Sequence, residues 1–382
     1  MNPHQHQPST GVTRHDFIDR GGSEEKVLVV VFLRGGADGL TLVPPVVDDV
    51  YQRARPFLAV DRKNTIDLDG YFALNTTLRP LMKHYESSAL AIIHGAGSED
   101  ETRSHFEAQD FMEHAGRDTG SGWLARYLRA RGTAASALSA VAIGTTRPES
   151  LRGAPAGAVI QTLRDFSFGQ DDPAIIDDIA RLYAVESGPL GQAAHDTIAT
   201  VRRLREIRAQ NVAPAHGAVY PENVFGRGMR EIARLIKAEV GLVTSTIDLN
   251  GWDTHFVQGQ VIGSLMTTLA TGIDAFLTDL GSLQERVTLV TMTEFGRRLR
   301  ENTSFGTDHG AGSVMMVIGD EVGKKGLAAG VRSGWPDLSD SNLDEVGDVP
   351  AAIDYRDVLT PILVSHAPGL DVASVFPRYT DS

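Results

Sequence analysis

The sequence contains no cysteine among its 382 residues. Disulfides, thiolate catalysis, iron–sulfur clusters and cysteine-type zinc sites are therefore excluded. Any metal ion would have to be bound by carboxylate, imidazole, hydroxyl or carbonyl groups. The lack of cysteine does not fix the compartment, because secreted proteins can also do without it.

The sequence also lacks a dense cluster of lysine and arginine, and its formal net charge is -13. A protein that binds nucleic acid needs a basic face to contact phosphates. We therefore expect no nucleic-acid partner. The composition, with 42% hydrophobic and 22% charged residues, is that of a globular protein.

No uninterrupted apolar run reaches the ~18–20 residues that a membrane helix needs, so we expect no membrane partner. Near the N-terminus, Arg14, His15 and Phe17 resemble a twin-arginine export signal whose second arginine is lost and which no apolar stretch follows. We expect residues 1–24 to be a mobile tail and the protein to be cytoplasmic, with periplasmic export only if this degraded signal still works. The sequence does not indicate an oligomeric state.

Strand-like and helix-like segments alternate along the chain. Short runs rich in β-branched residues predict strands at 26–33, 90–94, 137–143, 158–163, 242–249, 287–292 and 314–318. Helical patterns occur at 78–86, 105–114, 123–131, 173–185, 193–210, 224–239, 261–286 and 355–364. This alternation predicts an α/β fold, an α/β/α sandwich with a mostly parallel central sheet.

We expect residues 25–382 to form a single α/β domain. The region near 165–240 is richer in helix than in strand, which suggests a cap-like insertion into the sheet domain. The segment 331–349 is rich in Gly, Pro, Ser and Asp and is interpreted as a surface loop.

Ligands of open α/β sheets bind at the carboxyl ends of the strands, so the polar residues that follow the strands are the candidates for a site. Asp38 follows the first predicted strand within a glycine-rich loop. Glycine lets the backbone bend sharply and approach a ligand closely. Asp38 is either a ligand or an aspartate that caps its own turn.

A loop with several polar groups follows the second predicted strand and precedes a helix. Ser104 or Thr102 is either the N-cap of that helix or a nucleophile placed in the anion-stabilising field of the helix N-terminus. Arg103 could bind the oxygens of an anionic substrate. His105 is a ligand, a base or a packed side chain.

Two pairs of an aspartate and a histidine follow later strands. Asp253 and His255 are two positions apart, so in an extended segment they point the same way and can reach one ion; the alternative is a hydrogen bond within the loop. Asp308 and His309 are adjacent between glycines, so they diverge and suit two ions on either side of the chain; the alternative is a solvated turn.

Two further charged residues follow the strand at 287–292. Glu294 is either a metal ligand or a group that supports one, and Arg297 is either an anion contact or part of a salt bridge at a helix start. Glycine-rich signatures of other chemistries are missing, since no phosphate-binding loop ending in Gly-Lys-Ser/Thr and no Gly-x-Ser-x-Gly nucleophile motif occurs.

Taken together, these stretches resemble the domain-of-unknown-function 1501 family, in that family's order. The matching segments are 27–39, 103–110, 122–124, 251–255, 293–297 and 308–310. That family is in turn similar to the alkaline phosphatase and sulfatase superfamily. The resemblance implies an alkaline-phosphatase-like sandwich with two neighbouring metal positions.

The resemblance also implies roles for single residues. Asp38 matches a metal-binding aspartate after the first strand, Asp253 with His255 matches a pair that serves one metal, and Asp308 with His309 completes the set. Ser104 matches the hydroxyl nucleophile best, and Thr102 comes second. Two departures stand out: the first pair is more closely spaced than usual in the superfamily, and beyond His309 the next histidine, His366, is a doubtful ligand.

The resulting hypothesis is a hydrolase of phosphate or sulfate esters that uses one or two divalent metal ions, drawn from Zn, Mn, Fe, Mg or Ca, and a hydroxyl nucleophile. Its substrate would be a small anionic ester. The alternatives are a non-catalytic metal- or anion-binding protein on a hydrolase-like fold and, third, a metal-using isomerase or transferase of phosphorylated small molecules.

Overall fold

A computed structural model of the protein describes residues 25–117, 119–132, 136–163, 173–210, 212–324 and 327–379. The expected mobile tail at 1–24 lies outside these residues. The chain folds around one nine-stranded sheet, and a small antiparallel hairpin lies apart from it.

Most strands coincide with the β-branched runs of the sequence, because such side chains pack well on a pleated surface that is buried. The strands are β1 (Val27–Arg34), β2 (Thr65–Asp67), β3 (Ala73–Asn75), β4 (Leu90–Gly97), β5 (Ala140–Ile143), β6 (Ala158–Ile160), β7 (Thr244–Asn250), β8 (Val287–Met292), β9 (Ser313–Gly319), β10 (Gly330–Ser333) and β11 (Ile353–Asp354).

The sheet has the order β10-β4-β9-β8-β1-β7-β5-β6, and β11 adds to β4. β9 runs antiparallel to both of its neighbours, β4 and β8. The other pairings in this sheet are parallel. The predicted mostly parallel sheet is thus confirmed.

β1 lies in the middle of the sheet between β7 and β8, with Val31 opposite both Ile247 and Thr291. Its alternate residues enter two separate hydrophobic cores: Val29 belongs to one and Val30 to the other. A strand covered on both faces needs a continuous apolar sequence, which is why this segment shows no polar alternation.

Helices cover both faces of the sheet, as predicted for a sandwich. They are α1 (Gly39–Leu42), α2 (Asp49–Ala54), α3 (Met82–Glu86), α4 (His105–His114), α5 (Trp123–Ala130), α6 (Pro173–Tyr183), α7 (Pro189–Gln210), α8 (Val224–Lys237), α9 (Gln258–Leu280), α10 (Tyr355–His366) and α11 (Val372–Val375). Short 3-10 turns occur at Arg62–Asn64, Thr76–Leu81, Glu149–Leu151, Gly281–Arg286 and Asp340–Asn342.

One helical segment of the described chain, Gln258–Arg286, is long and apolar enough to cross a membrane by length and composition. Half of its most apolar window is buried inside the protein. Ile273 and Phe276 of α9 are fully covered by the core that also holds Val29 of β1. Its apolar character is therefore accounted for by packing against the sheet.

The expected insertion near 165–240 falls partly outside the described residues. Within the described part, Ile176 of α6 and Ile198 of α7 form a small core of their own. α8 instead packs on the main sheet layer, since Met229 and Ile232 belong to the core that contains α9. The cap-like role of this region remains a prediction.

The segment 331–349 is not a loop throughout. Its first residues belong to β10, an edge strand of the sheet that pairs in parallel with β4, with Val331 opposite Ile92. Trp335 and Leu338 are buried in the main core. The sequence pattern did not predict β10, because edge strands are short and need few apolar residues, and the surrounding glycines and aspartates indicated a loop.

Candidate metal centre

The polar residues that follow the strands meet at one edge of the sheet. Asp253 and His255 follow β7, Glu294 follows β8, and His105 opens α4 beyond the end of β4. His309 precedes β9, which runs antiparallel and therefore starts at the edge where its parallel neighbours end. The carboxyl ends of the strands thus carry the cluster, as expected for an α/β sheet.

Three imidazole nitrogens converge on one carboxylate oxygen. Asp253 Oδ1 lies 3.0 Å from His255 Nε2, 3.2 Å from His309 Nε2 and 3.4 Å from His105 Nε2. The Nε2 atoms of His255 and His309 are 2.9 Å apart. Donor atoms of His105, Asp253 and His309 all lie within 4.8 Å of one another, the spacing of a potential metal site.

The other ring nitrogen of each histidine is engaged by an oxygen. His105 Nδ1 lies 2.8 Å from Glu294 Oε1, His309 Nδ1 lies 2.8 Å from the backbone oxygen of Arg103, and His255 Nδ1 lies 3.1 Å from Asp308 Oδ1. Carboxylate and carbonyl oxygens accept hydrogen bonds, so each Nδ1 carries the proton in the neutral ring. The three Nε2 atoms are then left with lone pairs.

Three nitrogen lone pairs at such short range from one another and from an anionic oxygen repel, and a cation bound among them would remove that repulsion. Among the described residues, His105 Nε2 is buried without a hydrogen-bond partner. Tetrahedral zinc with bonds of about 2.0–2.2 Å places its ligand atoms roughly 3.3–3.6 Å apart. The separations of 3.0–3.4 Å between Asp253 Oδ1 and the three nitrogens are close to that spacing. His105, Asp253 and His309 therefore fit a divalent metal ion, and His255 Nε2 lies beside them, against Asp253 and His309.

Asp253 is held ionised by a buried guanidinium. Arg297 Nη2 lies 2.7 Å from Asp253 Oδ1. Partial burial alone would raise the pKa of Asp253, but the hydrogen bond and charge of Arg297 outweigh it and lower the pKa to about 2. Burial and the same charge lower the pKa of His309 below its ordinary value. At neutral pH both side chains are thus in the form that binds a metal.

Arg297 is fully buried and fully engaged, so it does not reach a bound anion. It donates to the backbone oxygens of Gly35, Gly36, Trp252 and Thr307 as well as to Asp253. One interpretation of the sequence placed Arg297 in a salt bridge at the start of a helix. In the structure Arg297 does not begin a helix but forms an isolated antiparallel bridge with His309. The guanidinium joins three loops and fixes their relative positions.

Glu294 supports the cluster from behind. Its side chain has no exposed surface, and its Oε1 accepts from Gly35 N at 2.9 Å and from Gln109 Nε2 at 2.8 Å in addition to His105. A carboxylate behind a ligating histidine fixes the ring and raises the basicity of its far nitrogen. Of the two interpretations that the sequence allowed, this position fits the supporting one.

The side chains of the adjacent residues Asp308 and His309 point in different directions, as expected. They lie on the two sides of the His255 ring. Asp308 binds the Nδ1 side of His255, while His309 faces its Nε2 side. Asn302 Nδ2 donates to Asp308 Oδ1 at 3.1 Å, and this bond is the main reason that the pKa of Asp308 is lowered. Asp308 thus lies behind His255 much as Glu294 lies behind His105.

Asp38 is not brought to the cluster. Its carboxylate forms a two-point ion pair with Arg55, at 2.6 and 3.0 Å, and neither side chain has exposed surface. Burial works against the charge, but Arg55 outweighs it and lowers the pKa of Asp38. The arginine that forms this pair lies in the loop after α2, where the sequence shows no pattern that would mark it.

Ser104 and Arg103 lie beside the cluster in different ways. Ser104 is the N-cap of α4, and within the described structure its hydroxyl makes no capping hydrogen bond. The Arg103 guanidinium points away, to Asp344 at 2.9 Å and Asp348 at 3.4 Å, while its backbone oxygen holds His309. The Arg103 guanidinium, which was expected to bind the oxygens of a substrate, is therefore paired with two carboxylates.

Thr102 is exposed, and its hydroxyl donates to Asp100 at 2.7 Å. It also accepts a long bond of 3.3 Å from the backbone nitrogen of Ser104. Thr102 thus shapes the loop, whereas the Ser104 hydroxyl is the one at the helix end. Both remain predictions as nucleophiles.

Two glycines allow the loops of the cluster to cross. A Cβ atom on Gly35 would lie 2.4 Å from the backbone nitrogen of Asp253, and one on Gly306 would lie 2.2 Å from the carbonyl carbon of His255. Both distances are far below any tolerable contact. The loops of Gly35 and Gly306 can approach the loop that carries Asp253 and His255 only because these two positions lack side chains.

Sequence reasoning missed three polar residues, the buried Arg55 and Gln258 and the partly buried Gln109. Gln109 binds Glu294, and Gln258 Nε2 donates to Asp38 Oδ2 at 2.5 Å. None of them follows a strand directly, so the rule that located the other candidates could not find them. Gln109 lies one helical turn after His105, and that spacing was the available signal.

Comparison with protein families gives one match that covers most of the chain. The model of the family described as "Protein of unknown function (DUF1501)" matches residues 87–359. This range contains His105, Asp253, His255, Glu294 and His309. No curated protein matches the chain.

Comparison with solved structures gives more distant likenesses. The chain is similar to Ps i-CgsB (11% identity, 90% of this chain and 72% of that chain, TM-score 0.35) and to the same protein in complex with k-i-k-neocarrahexaose (12% identity, the same coverage, TM-score 0.36). It is also similar to BT1596, a 2-O GAG sulfatase (12% identity, 94% of this chain and 76% of that chain, TM-score 0.31).

Proposed function

The chain belongs to the DUF1501 family of proteins of unknown function, and from that premise we propose that it is a metal-dependent hydrolase of phosphate or sulfate esters. The observation that carries the proposal is the convergence of three imidazole Nε2 atoms on Asp253 Oδ1, each ring held through its other nitrogen. Three imidazoles and one carboxylate are the kind of donor set that binds Zn, Mn or Fe.

His105, Asp253, His255 and His309 would hold the ion. When bound there, a divalent ion would polarise an ester oxygen and lower the pKa of a nearby hydroxyl or water. Glu294 and Asp308 keep His105 and His255 in the orientation and tautomer that leave Nε2 available.

The Ser104 hydroxyl is the proposed nucleophile. It lies at the N-terminus of α4, next to His105, where unpaired backbone N–H groups and the helix dipole favour an anionic group. Attack on phosphorus or sulfur would release the alcohol, and water would then release the acid from Ser104. Support for this role is positional, since the hydroxyl is not used as a cap.

One observation favours a second candidate, a non-catalytic metal-binding protein. The Arg103 guanidinium, the expected clamp for ester oxygens, is paired with Asp344 and Asp348. If no cationic side chain is available to bind the oxygens of an ester, the site would bind a metal ion without catalysing hydrolysis. This candidate predicts tight metal binding without hydrolysis of any ester.

The test combines metal analysis with an activity screen. Purified protein incubated with each divalent ion and then desalted should retain metal, and the loaded protein should hydrolyse 4-nitrophenyl phosphate or 4-nitrophenyl sulfate. His309→Ala should lower metal affinity by more than about 100-fold, above the loss seen for outer hydrogen-bond partners. Ser104→Ala should retain metal but lose turnover.

His195→Ala is the matched control, because His195 lies on α7, outside the cluster. It should retain both metal and activity. Metal binding without turnover on a wider panel of esters would favour the second candidate, and a protein that binds no ion would exclude both.

A further inference from the structure

The side chains of Asp38 and Arg55 form an ion pair that has no exposed surface. Arg55 Nη1 lies 2.6 Å from Asp38 Oδ2, and Arg55 Nη2 lies 3.0 Å from Asp38 Oδ1. Both carboxylate oxygens therefore face the guanidinium. A metal ion at Asp38 would have to displace this cation.

Arg55 is not free to leave. Its Nε donates to the backbone oxygen of Leu299 at 2.8 Å, and Nη2 also donates to the backbone oxygen of Arg298 at 2.8 Å. These carbonyls lie in the loop between β8 and β9, the loop that also carries His309. The guanidinium is thus held by the backbone as well as by Asp38.

The remaining capacity of Asp38 is also used. Its Oδ2 accepts from Thr41 Oγ1 at 2.6 Å and from Gln258 Nε2 at 2.5 Å. Gln258 Oε1 in turn accepts from Thr254 at 2.9 Å and Thr307 at 2.6 Å. These two threonines directly precede His255 and Asp308, so the pair is tied to the loops of the metal centre.

The resemblance to two-metal hydrolases implied that Asp38 binds one of two neighbouring ions, and the arrangement around Asp38 does not fit that role. We propose that each chain binds one metal ion, at His105, Asp253, His255 and His309, and that the Arg55 guanidinium takes the place of a second ion at Asp38. This inference rests on the proposed function, because it specifies how many ions the same centre holds.

The replacement has a physical consequence. An arginine is protonated at every physiological pH and cannot exchange with the solvent, so the positive charge at Asp38 is permanent. A second metal ion would come and go with its concentration. Metal loading should therefore follow a single-site curve, and chelation should remove one ion without disturbing Asp38.

The test counts and places the ions. Wild-type protein is loaded with Zn²⁺ or with Mn²⁺, desalted and analysed for metal per chain, and crystals of the loaded protein give an anomalous difference map at the metal edge. We expect one ion per chain and one peak, at the cluster of His105, Asp253, His255 and His309. Two ions per chain, or a peak at Asp38, would overturn the inference and leave the proposed function intact.

Variants separate the two positions. Asp38→Asn should keep one ion per chain, whereas Asp253→Asn should lose it. Because Asp38→Asn leaves Arg55 buried without its partner, the double variant Asp38→Asn/Arg55→Met removes both charges and tests the same point in a neutral pocket. Loss of the ion from a folded double variant would overturn the inference. No ion in any sample, wild type included, would overturn the proposed function and the inference with it.

Discussion

At the scale of single residues, the cluster is defined by what lies behind each ligand. Glu294, Asp308 and the backbone oxygen of Arg103 each bind one Nδ1 and so decide which nitrogen faces Asp253. A histidine without such a partner can rotate and change tautomer. The outer residues therefore matter for metal binding although none of them needs to touch the ion.

Glu294→Gln should weaken metal binding by about 10–100-fold while the protein stays folded. Glutamine has the same shape, but it removes the negative charge that makes His105 Nε2 a strong donor. Competition with a metal chelator measures the change in affinity. Glu285→Gln, a change of the same kind at an exposed position, should have no effect. Unchanged affinity in Glu294→Gln would mean that His105 is not a ligand.

At the scale of elements, the centre depends on strand direction and on close crossing of loops. The antiparallel β9 brings His309 to the edge where β7 and β8 deliver Asp253 and Glu294. The loop before β9 then passes so near the loop after β7 that Gly306 contacts the backbone of His255. The order of the strands alone would not bring Asp253, His255 and His309 together; the close contact between the two loops is also needed.

Gly306→Ala should damage the centre through the backbone. The new Cβ would lie 2.2 Å from the carbonyl carbon of His255, so one of the two loops must move. Overpacking of this kind costs about 1–3 kcal/mol, and we expect the displaced His255 to weaken metal binding as well. Urea unfolding and metal titration measure the two effects.

Gly263→Ala is the control for that change, because Gly263 lies inside α9 and an added Cβ would meet nothing within 4 Å outside its own helix. Alanine there should stabilise the protein by about 0.5–1 kcal/mol, since glycine weakens a helix interior. If the two variants lowered stability equally, the close crossing at Gly306 would not be the cause.

At the scale of the whole molecule, the ligands come from distant parts of the chain. The contact between His105 and Glu294 joins residues 189 positions apart, and that between His309 and the Arg103 oxygen joins residues 206 positions apart. Such a site exists only when the sheet is complete. Binding of a metal ion to it therefore stabilises the folded state as a whole.

A free metal concentration 100 times the dissociation constant should raise the free energy of unfolding by about 2.7 kcal/mol. Chelation should reverse the gain, and Asp253→Asn should show no gain at all. Urea unfolding with and without metal gives the difference. An equal gain in Asp253→Asn would show that the ion binds elsewhere.

The sequence by itself determined the fold class and the places where functional groups leave the sheet. The strand predicted at 287–292 is β8, and the helix predicted at 105–114 is α4, because the type and period of side chains in a segment decide its local conformation. The same reasoning placed Asp253, His255 and His309 at one edge, and the structure brings them together. Their roles as ligands remain predictions.

Tertiary structure alone decided which partner each charged group has. The sequence offered Asp38 as a ligand with no sign that Arg55 would cover both its oxygens, and it offered Arg297 as an anion contact although the folded chain surrounds it with carbonyls. Secondary structure follows from neighbours along the chain, so a local pattern reveals it. The partner of a buried charge comes from residues that only packing brings within 3 Å, and no local pattern records that choice.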